Sequence, residues 1–146
     1  MRLDQARCEY LLDRAEHGVL STLHADRGVD AVPVCFAIAG ACVAIPVDRV
    51  KPKASVDLQR SRNLDNDPRA VLLCDHWDGT DWSQLWWVRV SLERVTGSAE
   101  ERSSLETLLR LKYHQYEQQS FADLVVFHIT EIAGWSGSDG LPTPRT

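Results

Sequence analysis

Residues 49–62 carry Arg49, Lys51, Lys53, Arg60 and Arg62 against the single acid Asp57, a local excess of +4 in a chain of net charge −5. Lysine offers a compact point charge and arginine a planar fork that grips two oxygens, so the mixture suits a phosphate. Ser55 adds a hydroxyl where a helix is expected to begin, and the first N–H groups of that helix would also face an anion. Downstream, Trp77, Trp82, Trp86 and Trp87 place four of the five tryptophans within eleven positions. An indole has a large flat face and one N–H, so clustered indoles often flank a planar ligand or a partner surface. Each stretch also has a plainer reading: charge runs usually form a solvated face, and tryptophans can seal the mouth of a small β-core. Side by side, they point to a phosphate-bearing aromatic cofactor.

Other familiar chemistries are missing. There is no G-x-G-x-x-G and no P-loop. Gly134-Trp135-Ser136-Gly137-Ser138 comes close to a nucleophile elbow, but it ends in Ser and reads as strand end and turn. His17, His24, His76, His114 and His128 form no pair at metal-ligand spacing, so no metal is expected. Cys8, Cys35, Cys42 and Cys74 lack C-x-x-C spacing and read as reduced, buried thiols. An enzyme without triad, dyad or metal set would take its reactivity from the cofactor, and no catalytic side chain can be assigned.

With 146 residues, 44% of them hydrophobic, the chain is large enough for one globular domain, expected over 1–136 with a flexible C-terminal tail at 137–146. Its acidic balance argues against a general nucleic-acid binder. No run of about 18 apolar residues could span a membrane, and the mixed charges of the first seven residues lack an export core. A cytoplasmic protein is expected.

Periodicity places a helix over 3–17 and a strand over 19–24 turning at 25–28. It places apolar strands over 31–38 and 41–47 around a tight Ala39-Gly40 hairpin. A short helix from Ser55 to about Asp67 precedes strands over 69–75 and 85–96. Ser98-Ala99-Glu100-Glu101 is a capping box opening a helix to about Gln118, and 124–132 is the last strand. About six strands, joined mainly by hairpin-length turns, favour an antiparallel β-barrel with flanking helices.

The sequence resembles the split β-barrel flavin and deazaflavin oxidoreductases, the relatives of pyridoxamine phosphate oxidase, and within them the coenzyme F420-dependent branch. The matching pieces are Gly18-Val19-Leu20-Ser21-Thr22, Val32-Pro33-Val34-Cys35-Phe36, Lys51-Pro52-Lys53, Arg62-Asn63-Leu64, Asn66-Asp67-Pro68-Arg69, Asp81-Trp82-Ser83, Leu85-Trp86-Trp87-Val88-Arg89, Lys112-Tyr113-His114-Gln115-Tyr116 and Gly134-Trp135. The Leu-Trp-Trp-Val-Arg and Lys-Tyr-x-Gln-Tyr elements are the specific ones.

The resemblance implies a mainly β fold, a six-stranded antiparallel split barrel (the FMN-binding split barrel), forming a homodimer with cofactor sites at the interface. It implies that Lys51, Lys53, Ser55, Arg60 and Asn63 bind the cofactor phosphate and nearby polar groups. Pro33 and Val34 would run along the ring system, and Trp82 and Trp86 would wall the pocket; which subunit supplies them is left open. Arg49, Arg62 and Arg69 would suit the longer anionic tail of F420. The implied activity is hydride transfer between the deazaflavin and an unsaturated organic small molecule. An FMN-dependent relative, or a non-catalytic flavin or haem carrier, is the alternative. Tyr113, Tyr116 and His76 are polar groups near these motifs that could donate a proton, although structural hydrogen bonding is the simpler role for each. Two departures bear on pocket shape: Ser91-Leu92-Glu93 stands where relatives tend to carry a glycine, and the Trp77 loop is a residue longer.

Overall fold

The computed structural model describes residues 1–47, 55–117 and 124–138, the side chains of 55–58 excepted. Helix α1 (Gln5–Arg14) is capped by the Asp4 carboxylate, which accepts from the Arg7 N–H, and its apolar stripe of Cys8, Leu11 and Leu12 is buried. Strands β1 (Gly18–His24) and β2 (Gly28–Val34) form a hairpin whose turn closes on Gly28 at φ +91°, a conformation that favours glycine. Strands β3 (Ala37–Ala39) and β4 (Cys42–Pro46) form a second hairpin about Gly40 at φ +58°, as the Ala39-Gly40 pair predicts.

Helix α2 (Ser55–Asn66) leads into β5 (Arg69–His76), and β6 (Trp86–Val95) follows the tryptophan loop. Helix α3 (Ala99–Lys112) opens with the expected capping box: Ser98 Oγ accepts from the Glu101 N–H while Glu101 Oε1 accepts from the Ser98 N–H. It stops at Tyr113, short of Gln118, because Tyr113 turns extended and ties its hydroxyl to another part of the fold. Strand β7 (Leu124–Ser136) outruns its expected end by four residues, because Trp87 and Trp86 continue the ladder opposite Trp135 and Ser136.

All pairings are antiparallel, in the order β2-β1-β5-β6-β7-β4-β3. There are seven strands where six were expected. The apolar run 31–38 breaks at Cys35-Phe36, and its two halves, β2 and β3, lie at opposite edges of the sheet. That separation opens the barrel along one seam. The inner face of Leu20, Leu72, Val88, Val90 and Phe127 forms the main core with Phe36 and the stripe of α1. A second cluster lies outside β3, β4 and β7, where Leu105 and Leu109 of α3 cover Ala37, Ala44 and Val126. Burying such side chains is the main favourable contribution, roughly 1.5–3 kcal/mol each before entropy is counted.

Candidate functional site

Helix α2 lies across β1, and its third turn brings two polar side chains into the fold. Asn63 is buried: its amide donates to Thr22 Oγ1 (3.0 Å) and to Asp30 Oδ2 (2.9 Å), and its carbonyl accepts from Gln59 Nε2 (2.9 Å). Arg60, one turn earlier, is only 8% exposed. Between them and the β1–β2 hairpin opens a cleft of about 370 Å³, lined by Thr22, Arg27, Asp30, Ala31, Val32, Gln59 and Arg60. The Arg27 guanidinium grips both oxygens of Asp30 at 3.0 Å. The Asn63 amide first, and Arg27 with it, hold the Asp30 carboxyl below its ordinary range. Among the described lining residues, two guanidiniums stand against one carboxylate.

Of the expected phosphate binders, Arg60 lines the cleft, while Asn63 lies behind it, bonded to Thr22 and Asp30. Thr22, Arg27, Asp30 and Gln59 complete the cleft and were not foreseen; the three-residue spacing of Arg27 and Asp30 across the hairpin turn was the available signal. The expectations for Lys51, Lys53 and the Ser55 side chain lie outside the described residues, as does that for Arg49. Pro33 and Val34 point to opposite faces of β2, Pro33 exposed and Val34 in the core, while β2 itself is an edge strand. Arg62 is exposed, and Arg69, also exposed, pairs with Asp67 through contacts of 2.7 and 3.0 Å.

The two wall tryptophans separate. Trp86 is in the core with its ring 6.5 Å from the His76 ring, nearly parallel to it. Trp82 opens a 3-10 turn (Trp82–Gln84) fixed by Asp81, whose carboxylate accepts from the N–H and hydroxyl of Ser83, and its side chain is 70% exposed. Neither lines the α2 cleft of its own chain. The opposite face of the sheet carries a row of exposed apolar groups: Val29 opposite Leu23, Leu73 between Val19 and Arg89, and Trp135 opposite Trp87.

The Tyr113 hydroxyl accepts from the Phe36 N–H (3.1 Å) and reaches the carbonyls of Glu16 (2.8 Å) and Phe36 (3.1 Å). Burial pushes its pKa well up, and these hydrogen bonds tie α3 to the β2–β3 break. Tyr116 packs edge-on against it. Lys112 was missed in the sequence. Its amine is buried without a hydrogen-bond partner among the described residues, 3.8 Å from the centre of the Phe36 ring, and burial depresses its pKa.

No protein-family model matches the chain, and no curated protein matches its sequence. Solved structures do. The conserved protein Rv2991 of Mycobacterium tuberculosis superposes with a TM-score of 0.70 at 18% identity, covering 99% of this chain and 91% of that one. A candidate pyridoxamine 5'-phosphate oxidase from Corynebacterium glutamicum gives 0.60 at 16% identity, covering 92% and 94%. The FAD-binding protein of Mycobacterium smegmatis gives 0.56 at 17%, covering 92% and 94%. The strand order, the seam between β2 and β3 and these superpositions together establish a mainly β fold with flanking helices, the split barrel of the pyridoxamine phosphate oxidase-like proteins.

Proposed function

We propose that the protein is an oxidoreductase that binds coenzyme F420 between two copies of itself and moves a hydride between the deazaflavin and an unsaturated organic substrate. The observation that carries this reading is Arg60, a guanidinium drawn into the fold beside Asn63 at the wall of the cleft. A phosphate suits a lining that offers the Arg60 guanidinium, the Gln59 amide and the Thr22 hydroxyl. When bound, the deazaflavin supplies the carbon that gives or takes the hydride. Arg60 would neutralise the phosphate, with Lys51, Lys53 and Ser55 supplying the adjoining charge and hydroxyl. Asn63, by holding Thr22 and Asp30 together, fixes the hairpin wall against which the cofactor would rest. The β2 edge at Pro33 and Val34 would offer backbone groups to the ring. The exposed indole of Trp82 would close the site of a second copy, with Trp86 bracing its loop from the core.

A second reading keeps the site and exchanges F420 for a flavin, FMN or FAD; the FAD-binding structural neighbour favours it. Replacing Arg60 by Ala tests the site under either reading. Losing one charge-assisted bond should weaken binding of the folded protein by about 1.5–3 kcal/mol, on the order of ten- to a hundredfold. Equal affinity of R60A and the parent would take the α2 cleft out of the account.

A further inference from the structure

At the start of α3, three segments distant in sequence bring a thiol, a carboxylate and an imidazole together. Cys42 of β4 and His128 of β7 are direct cross-strand partners, so their side chains leave the sheet on the same face. The first turn of α3 delivers Glu101 to that face. Glu101 Oε2 accepts from the Cys42 thiol at 2.9 Å and lies 3.6 Å from His128 Nε2, and the three ligand atoms all fall within 4.8 Å of one another. The carboxylate is pre-positioned, because its other oxygen is held at 3.0 Å by the Ser98 N–H in the capping box. Cys42 is buried, while His128 and Glu101 keep 51% and 39% of their side-chain exposure, so the cluster opens to solvent on one side. Glu93, opposite His128 on β6, stands exposed beside that opening.

We infer that Cys42, Glu101 and His128 form a three-ligand zinc site whose fourth position is open to water. A tetrahedral zinc ion with bonds of about 2.0–2.3 Å needs ligand atoms roughly 3.3–3.8 Å apart. The present separations bracket that range, so modest side-chain rotations suffice. One sulfur, one imidazole nitrogen and one carboxylate oxygen suit zinc better than calcium or magnesium, which take oxygen alone. On coordination the Cys42 thiol releases its proton to solvent, and the metal replaces the hydrogen bond that proton made to Glu101. The positions 42, 101 and 128 share no short spacing, which is why histidine and cysteine spacings carry no metal signal. Zinc here would clamp the start of α3 to the β4–β7 pair and leave a water-bearing coordination position at the surface.

The test is calorimetric titration of chelator-stripped full-length protein with Zn²⁺, and absorption spectroscopy with Co²⁺ as probe. One zinc per chain is expected, with a thiolate-to-cobalt charge-transfer band that Cys42→Ser abolishes and Cys35→Ser keeps. His128→Ala changes a half-exposed residue and should leave the circular dichroism unchanged, yet it should weaken zinc binding at least tenfold, as should Glu101→Gln. Binding well below one equivalent, affinity unchanged in H128A, or a cobalt complex without the thiolate band would each overturn the site. None of these outcomes bears on the α2 cleft.

Discussion

A single hydroxyl holds three parts of this fold in register. Tyr113 ends α3, and its oxygen satisfies the Phe36 N–H at the break that sends β2 and β3 to opposite edges, while it also reaches the Glu16 carbonyl before β1. Removing it leaves a buried N–H unpaired, a penalty of about 1–3 kcal/mol. Tyr113→Phe should therefore lower stability in denaturant melts by that amount while cofactor affinity changes little. A large loss of turnover at unchanged stability would instead return Tyr113 to the proton-donor role. Residue types alone could not decide between these roles, since a tyrosine beside the site motifs looks the same whether it donates a proton or ties a backbone. Lys112 shows a related limit. Its position in the Lys-Tyr element was visible, but the burial of its amine against Phe36 depends on packing between α3 and the β2–β3 break.

At the scale of elements, helix α1 docks on the sheet through one glycine. A Cβ at Gly134 would lie 2.6 Å from Cys8 Sγ and 3.2 Å from the Trp87 carbonyl oxygen, so β7 can approach α1 this closely only without a side chain there. Gly134→Ala should cost about 1–3 kcal/mol by overpacking. Adding Cys8→Ala should recover part of the loss, a favourable coupling measurable in a double-mutant cycle. Strictly additive losses would place the strain on the β6 backbone instead. Much at this scale was legible. The Ser98–Glu101 capping box, the Ala39-Gly40 hairpin and the alternation of β5 and β6 all follow from local rules that tertiary context leaves intact. The break at Cys35-Phe36 was not legible, because the one breaker in the run, Pro33, precedes it inside β2, and Val34, Phe36 and Ala37 read as one apolar strand. The extension of β7 to Ser136 was hidden for the same reason, since its partners Trp86 and Trp87 lie some fifty residues away.

At the scale of the molecule, the outer face of the sheet accounts for the tryptophans better than the α2 cleft of the same chain does. Leu73 is 40% and Trp135 38% exposed, with Trp82, Trp77 and Val29 still more open. Large apolar side chains left open on one face can mark an interface. The proposed homodimer would bury it and bring one copy's tryptophan loop to the other's cofactor site. Light scattering at micromolar concentration should give twice the chain mass. A charge at the centre of the face, Leu73→Glu, should shift that to the monomer and weaken cofactor binding with it. A parent protein that is monomeric while binding cofactor at full strength would remove the shared site.

In the proposed reading, the α2 cleft, the basic segment before it and the exposed indoles serve a planar cofactor with a phosphate and a further anionic tail, and F420 has that tail where FMN ends at its phosphate. The decisive measurement is direct titration of the purified protein with F420 and with FMN, each at two salt concentrations. The account predicts tighter binding of F420 at physiological salt, with an advantage over FMN that shrinks as added salt screens contacts to the exposed tail. Tighter binding of FMN under the same conditions would contradict it.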